Sequence, residues 1–407
     1  MHVIFVEPSF PRNQREFARG LAEIGARVSG IGEAPVDYLP GDVKQSLWHY
    51  EQVPSVVDEG ALYRAVRRIQ ERAWVDRLEA TVEAHITTAA RVREACGIPG
   101  TSTQTAWLCR DKPAMKEALR AAGIPCAQSL GTDQADEARD FAKRVGYPLI
   151  VKPPSGAGAS GATRVTNDAE LNQALAESGL AWGKSIAIEE FIEGHEGFCD
   201  SMSIDGKPAV EFITHYYPNV LEAMRTRWIS PQFITTNRVE TVAAYAEVRE
   251  MSRRVIQALG IGTSATHMEW FYGPRGLKFS EIGCRPAGVG CWDLYCAAND
   301  FDLYREWANA ICHGRIATQP SRRFSAGIIN LRPDRDGAIA GYEGMHLLDR
   351  TYREWVIDTH LPPVGTPTQG VEAGYMANAW VRLRHPDYDT LRSMLDDIGN
   401  TVKVRAR

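Results

Sequence analysis

At 407 residues the chain exceeds what one ordinary hydrophobic core organises, so several domains are expected. Its 44% hydrophobic and 24% charged residues exclude collagen-like and disordered classes, and a net charge of −5 excludes a broad basic nucleic-acid footprint. No run approaches about 18 uninterrupted apolar residues, so no membrane span is expected. The 8 cysteines form no CxxC pair and no zinc-like His/Cys spacing, which points to reduced thiols in a cytoplasmic protein.

In chain order, "HVIFVEP" reads as a first strand, too short and unflanked for a signal peptide. "NQREFARGLAEIGARVSGIG" follows with Phe17, Leu21 and Ile24 at helical spacing and then a second strand, the opening of a parallel α/β layer. The first turn, "EPSFPRNQ", lacks the glycine fingerprint of dinucleotide folds. From Gly60 to Pro99 the pattern reads as helical. Asp111 caps a helix in "RDKPAMKEALRAAGIP", which Gly123 and Pro125 end. A helix at "ADEARDFAKRVG" leads to a strand carrying Lys152, a small-residue loop and a second strand. Helix "DAELNQALAES", strand "SIAIEEFIEG" and strand "EGFCDSMSID", with a turn at Asp205-Gly206, come next. Glu240 to Leu259 reads as a helix, Thr266 to Gly283 as a hairpin, and "DFDLYREWANAICHG" as a last amphipathic helix. The remaining residues are expected as a small α+β unit.

The loop "SGAGASG", Ser155 to Gly161, brings Gly156, Gly158 and Gly161 for close backbone approach, with Ser155 and Ser160 as hydroxyl donors. It lacks the Gly-Lys-Ser/Thr ending of a P-loop, so a flap over phosphates is one reading and a bland linker the other. Lys152 beside it is either a phosphate ligand or a snorkelling edge lysine. In "AIEEFIEGHE", Glu189, Glu190 and Glu196 stand amid Ile and Phe, a costly placement unless hydrogen-bond donors such as ribose hydroxyls or an adenine amine use them. Solvated acids on an edge strand are the alternative.

"HMEWFYGPRGLKFSEIGCRPAG" suggests a hairpin with the three-residue loop Pro274-Arg275-Gly276, pairing Gly273 with Leu277. That register sets Glu269 opposite Glu281, with Cβ atoms about 5 Å apart. A divalent cation relieves their repulsion, and oxygen ligands indicate magnesium or manganese. A shared proton and a shifted register are the competing readings. Arg285, four residues on, suits a phosphoryl or acyl-phosphate oxygen.

Taken in order, these elements from Met1 to Gly314 resemble the ATP-grasp superfamily. The resemblance implies an α/β fold: an N-terminal parallel α/β domain (1–105), a lid subdomain with the glycine-rich loop (106–188), a central antiparallel-sheet domain with the metal site (189–318) and a small C-terminal α+β appendage (319–407). It implies ATP held by Lys112, Lys152, Ser155, Gly158, Ser160 and Gly161, an adenine hinge at Glu189, Glu190 and Ile192, and Glu196 on the ribose. Mg2+ or Mn2+ would sit on Glu269 and Glu281, with Arg285 and Lys152 serving the chemistry. Many members carry Asn two residues after the second acid; here that residue is Gly283.

The implied reaction phosphorylates a small-molecule carboxylate, such as an amino acid, and passes the acyl group to an amine with release of ADP and phosphate. A biotin-carboxylase-like or carbamoyl-phosphate-like activation of bicarbonate is the alternative, and a non-catalytic ATP-binding module the third reading. The segment Thr214 to Arg238 is either a packed aromatic loop or a substrate wall, in which Arg225 or Arg227 grips a carboxylate and Trp228 shapes the pocket. "RNQ", Arg12 to Gln14, could face the same cleft. The expected partners are small molecules, without nucleic acid or membrane; a homodimer is left open.

Overall fold

The computed structural model describes residues 1–154, 161–371 and 378–407. Strands β1 (His2–Val6), β2 (Arg27–Gly32), β3 (His49–Gln52) and β4 (Arg77–Glu79) form a parallel sheet in the order β3-β2-β1-β4. All five residues of β1 are buried, as the apolar run requires. Helix Gln14–Glu23 turns Phe17 and Leu21 into the core. Two strands depart from the helical reading. β4 interrupts the stretch from Gly60 to Pro99, separating helices Glu59–Arg72 and Ile86–Ala95, and β3 precedes it. Both are edge strands of three or four residues, too short for an alternating pattern to show.

Helix Lys112–Ala121 follows, its first turn capped by the Asp111 side chain, which accepts from the Ala114 amide. Strands β5 (Ser129–Thr132), β6 (Leu149–Lys152), β7 (Thr163–Val165) and β8 (Ile186–Glu190) make an antiparallel sheet in the order β5-β8-β6-β7. Alternation divides its faces. Leu149, Val151 and Ile188 pack against helices Ala135–Val145 and Asp168–Glu177, while Ile150, Lys152 and Glu189 look the other way.

The central sheet is built from β9 (His195–Ile204), β10 (Lys207–Tyr217), β11 (Gln232–Thr235), β12 (Ser264–Gly273), β13 (Gly276–Gly283) and β14 (Ser325–Leu331). After β15 (Ile339–Glu343), β16 (Val356–His360) and β17 (Ala379–His385) join it, giving the antiparallel order β13-β12-β9-β10-β11-β14-β17-β16. The C-terminal strands thus continue the central sheet, with helix Tyr388–Thr401 packed on it, while β15 pairs with β18 (Lys403–Ala406) separately.

The β12–β13 hairpin corrects the expected turn. Gly273 pairs with Gly276 and Tyr272 with Leu277, one residue away from the three-residue loop. Gly276 does take φ +74°, as a tight turn demands. A bulge then leaves Ser280 without a partner on β12 and restores Glu269 to its place opposite Glu281.

Candidate active site

A cavity of about 420 Å³ lies between the β5–β8 sheet and the central sheet, within the size range of small-ligand clefts. Lys112, Lys152, Glu189, Glu196, Glu269 and Glu281 all line it. They come from the first turn of one helix and from five strands of two sheets.

One wall is a buried charge cluster. Lys116 Nζ lies 2.6 Å and Lys152 Nζ 2.8 Å from the same Glu189 oxygen, Oε2. Burial alone would raise the Glu189 carboxyl, but the two ammonium groups together hold it down at about 2. Burial lowers Lys116 to about 8 in spite of Glu189, because Lys152 adds a second positive charge beside it. Lys152 is buried as well, and its charge is favoured by Glu189, Glu281 and Glu269. Glu189 Oε1 is buried without a hydrogen-bond partner in this cavity wall, which leaves one acceptor for a ligand donor such as an exocyclic amine. Lys116 escaped the sequence reading. Its signal was present: it stands one helical turn after Lys112 on the same face.

The facing wall is ordered by strand register. Phe198, Glu269 and Glu281 form one row across β9, β12 and β13; Asp200, His267 and Gly283 form the next row on the same face. Lys112 Nζ reaches Glu281 at 3.0 Å, so the opposed acids are already partly neutralised by lysine. Burial, then the nearby Glu269 charge, push the Glu196 carboxyl up to about 8; its Oε2 accepts from the Val220 amide at 2.7 Å. Asp200 accepts from His267 Nδ1 at 2.7 Å and from the Tyr295 hydroxyl at 2.6 Å. His267 is fully enclosed, which opposes its charge, yet Asp200 outweighs this and raises it to about 9.

The remaining expected residues divide. Glu190 and Ile192 both line the cavity, and the Glu190 carboxylate is occupied by Lys278 at 3.0 Å, by Arg275 and by the Gln128 amide. Arg285 lies in a smaller adjoining recess with Lys112, His267, Glu281 and Gly283, where it is bound to Glu83. Glu83 also takes Arg110 at 2.7 Å. Arg225 lines the cavity and donates to the Ala162 carbonyl at 2.8 Å. Arg227 is instead paired with Asp336 at 2.6 Å, and Trp228 is 88% exposed, so neither belongs to the cavity wall. Their segment alternates aromatic and basic residues without a strand period, which gave no cue to orientation. Gln14 is buried against Thr81 at the end of the parallel sheet, away from the cavity lining. Gly161 has φ +70° at the mouth of the glycine-rich loop; Ser155, Gly158 and Ser160 lie outside the described residues.

For a metal, the donor set is two carboxylates on neighbouring strands facing one cavity. Among the described residues no group of three or more His, Cys, Asp or Glu side chains is placed to hold a metal ion. The arrangement therefore suits a hard cation that keeps phosphate oxygens and water as its other ligands.

Comparison with known proteins bears on the whole chain. The family described as the carbamoyl-phosphate synthase L chain, ATP-binding domain, matches residues 111–198. An L-arginine-specific L-amino acid ligase of Bacillus subtilis is 29% identical over 248 residues, 60% of this chain and 59% of that protein. An alanine–anticapsin ligase of Bacillus subtilis is 23% identical over 283 residues, 64% of this chain and 59% of that protein. The chain thus spans about three-fifths of the length of these relatives. The crystal structure of an L-amino acid ligase from Bacillus licheniformis superposes with a TM-score of 0.78 at 17% identity, covering 100% of this chain and 98% of that one. The nucleotide-family match is confined to the segment of Lys112 and Lys152, and the fold is shared from end to end with that L-amino acid ligase.

Proposed function

We propose that this chain is an ATP-dependent carboxylate–amine ligase that makes an acyl phosphate from a small carboxylate, such as an amino acid, and releases ADP and phosphate. The observation that carries this reading is the convergence of Lys112, Lys152, Glu269 and Glu281 on one cavity, with Arg285 in the recess behind Glu281. Lys112 and Lys152 bind phosphate oxygens, exchanging their carboxylate partners for the nucleotide. Glu189 Oε1 accepts from the adenine amine, Ile192 contacts the base, and Glu196 holds the ribose. Glu269 and Glu281 are the residues that would hold a magnesium or manganese ion, which would supply charge neutralisation at the phosphate oxygens. Arg285 stabilises the acyl phosphate and the tetrahedral species formed when the amine attacks. No enzyme nucleophile is required; positioning and charge neutralisation lower the barrier.

The names of the relatives favour amino acids as carboxylate and amine. No helix among the described residues is long and apolar enough to cross a membrane, and we place the reaction in the cytoplasm with small-molecule partners. Bicarbonate activation is the second reading, favoured by the carbamoyl-phosphate synthase match over residues 111–198. The test is a release assay with MgATP against pairs of amino acids and against bicarbonate. ADP and phosphate formed only with an amino-acid pair, together with a dipeptide by mass spectrometry, support ligation. AMP and pyrophosphate would exclude it, and release driven by bicarbonate alone would select the second reading.

A further inference from the structure

We infer that Lys116 is a positioning residue: it keeps the Glu189 carboxylate paired while Lys152 leaves it for the phosphates of the nucleotide. The inference rests on the reading above, in which Lys152 exchanges its carboxylate partner for phosphate oxygens.

Three charged groups share one buried point. Lys116 Nζ at 2.6 Å and Lys152 Nζ at 2.8 Å meet the same oxygen of Glu189, whose side chain is 5% exposed. A buried carboxylate left without a partner is strongly unfavourable, so a lysine that was the sole partner of Glu189 could not depart. Two ammonium groups on one acceptor repel each other. One of them can therefore leave while the other keeps the carboxylate paired.

Which one departs follows from where each is mounted. Lys116 stands within helix Lys112–Ala121, and its side chain is 1% exposed. Lys152 is the last residue of β6, followed by Pro153, Pro154 and the glycine-rich loop, and its side chain is 15% exposed. Both line the cavity, but Lys152 has the freer path into it. Holding Glu189 still also protects its second oxygen. Oε1 is buried in the cavity wall with no hydrogen-bond partner among the described residues. A carboxylate drawn along by Lys152 would withdraw that acceptor from the base.

The experiment measures ATP and adenosine affinity of the full chain by competition with a fluorescent nucleotide. Lys116→Met keeps the length of the side chain and removes its charge, and Lys152 remains to pair Glu189. With Lys152 held there, ATP affinity should fall about 10- to 100-fold, as in Lys152→Ala. Adenosine, which carries no phosphate, should bind as it does to the wild type. Adding Glu189→Gln to Lys116→Met removes the charge that holds Lys152, and ATP affinity should return towards wild type. The amide oxygen still accepts from the base, and a merely structural role for Lys116 gives no such rescue. Crystals of the wild type with ADP test the same point without a substitution, so a variant that fails to fold leaves the test intact. Lys152 on the phosphates, with Lys116 Nζ still within about 3 Å of Glu189, supports the assignment. Lys116 turned to the nucleotide, or unchanged ATP affinity in Lys116→Met where Lys152→Ala is impaired, overturns it and leaves the ligase reading standing. Lys152 still on Glu189 in the ADP complex, or unchanged ATP affinity in Lys152→Ala, overturns both.

Discussion

Replacing Glu189 by Gln removes the negative charge that two ammonium groups share in the cavity wall. Lys116 and Lys152 nitrogens both lie within 2.8 Å of Glu189 Oε2. Without the carboxylate they face each other over roughly 5 Å, a repulsion of about 3 kcal/mol at an effective dielectric near 20. Breaking a buried pair by removing one partner costs about 3–5 kcal/mol, so the two estimates agree in size. Lys116 can relieve the strain by losing its proton, since burial already lowers it to about 8 with Glu189 in place. The sign follows from proton counts. In the variant the unfolded chain holds a proton on Lys116 that the folded chain has released, so stability rises with pH. Between about pH 6 and 8 the variant should recover up to about 1.4 kcal/mol per pH unit, whereas the wild-type lysine begins to titrate only near the top of that range. Urea midpoints at both pH values, followed by tryptophan fluorescence without nucleotide, measure this. A wild-type midpoint at pH 6, or a deficit that does not shrink by pH 8, refutes the shared-charge account.

Lys152→Ala should weaken ATP binding ten- to a hundredfold, because a charged hydrogen bond is worth about 1.5–3 kcal/mol; calorimetry that finds unchanged affinity in the folded variant removes Lys152 from the nucleotide site. Glu281→Gln should lower metal-free stability by about 1 kcal/mol or more, since Glu281 is a charged partner of Lys112; the hairpin considered alone predicts the opposite sign, and thermal melts in chelator decide. The Glu196 carboxyl, raised to about 8 against 4.5 for an unperturbed glutamate, keeps a proton in the folded chain that the unfolded chain releases. Wild-type stability therefore falls as pH rises through that window, and the advantage of Glu196→Gln in chelator should grow from about pH 5 to 8; a constant difference refutes the shift. Trp228→Ala should change stability by less than about 0.5 kcal/mol and leave ATP affinity unaltered, as expected for a solvated surface side chain; a weakened affinity would return the residue to the site.

The sequence made visible what local chemistry controls. Asp111 announced its helix by capping chemistry, and the apolar run around Glu189 marked a strand while leaving open whether the carboxylate was buried or solvated at an edge. The opposition of Glu269 and Glu281 was reached by counting, although the counted turn was one residue too long and the bulge at Ser280 supplied the difference. Bulges leave no period to detect. What stayed hidden depends on partners distant in the chain: Glu83 and Arg285 stand 202 positions apart, and Asp200 and His267 stand 67 apart. Neither pair has a spacing that local geometry fixes. Trp228 misled in the other direction, because aromatic content in a loop does not say which side faces solvent.

The passage of β14, β17 and β16 into the central sheet has a consequence for how the protein can be divided. β11 pairs with β10 on one side and β14 on the other. A chain cut after the helix Leu303–His313 would leave the β11 backbone as a raw edge and uncover the apolar faces of Ile234 and Phe233. Such an edge is a template for pairing with another chain. Truncation at that point should therefore give aggregates rather than a smaller soluble enzyme, and swapping C-terminal segments between relatives would require grafting strand register as well as sequence.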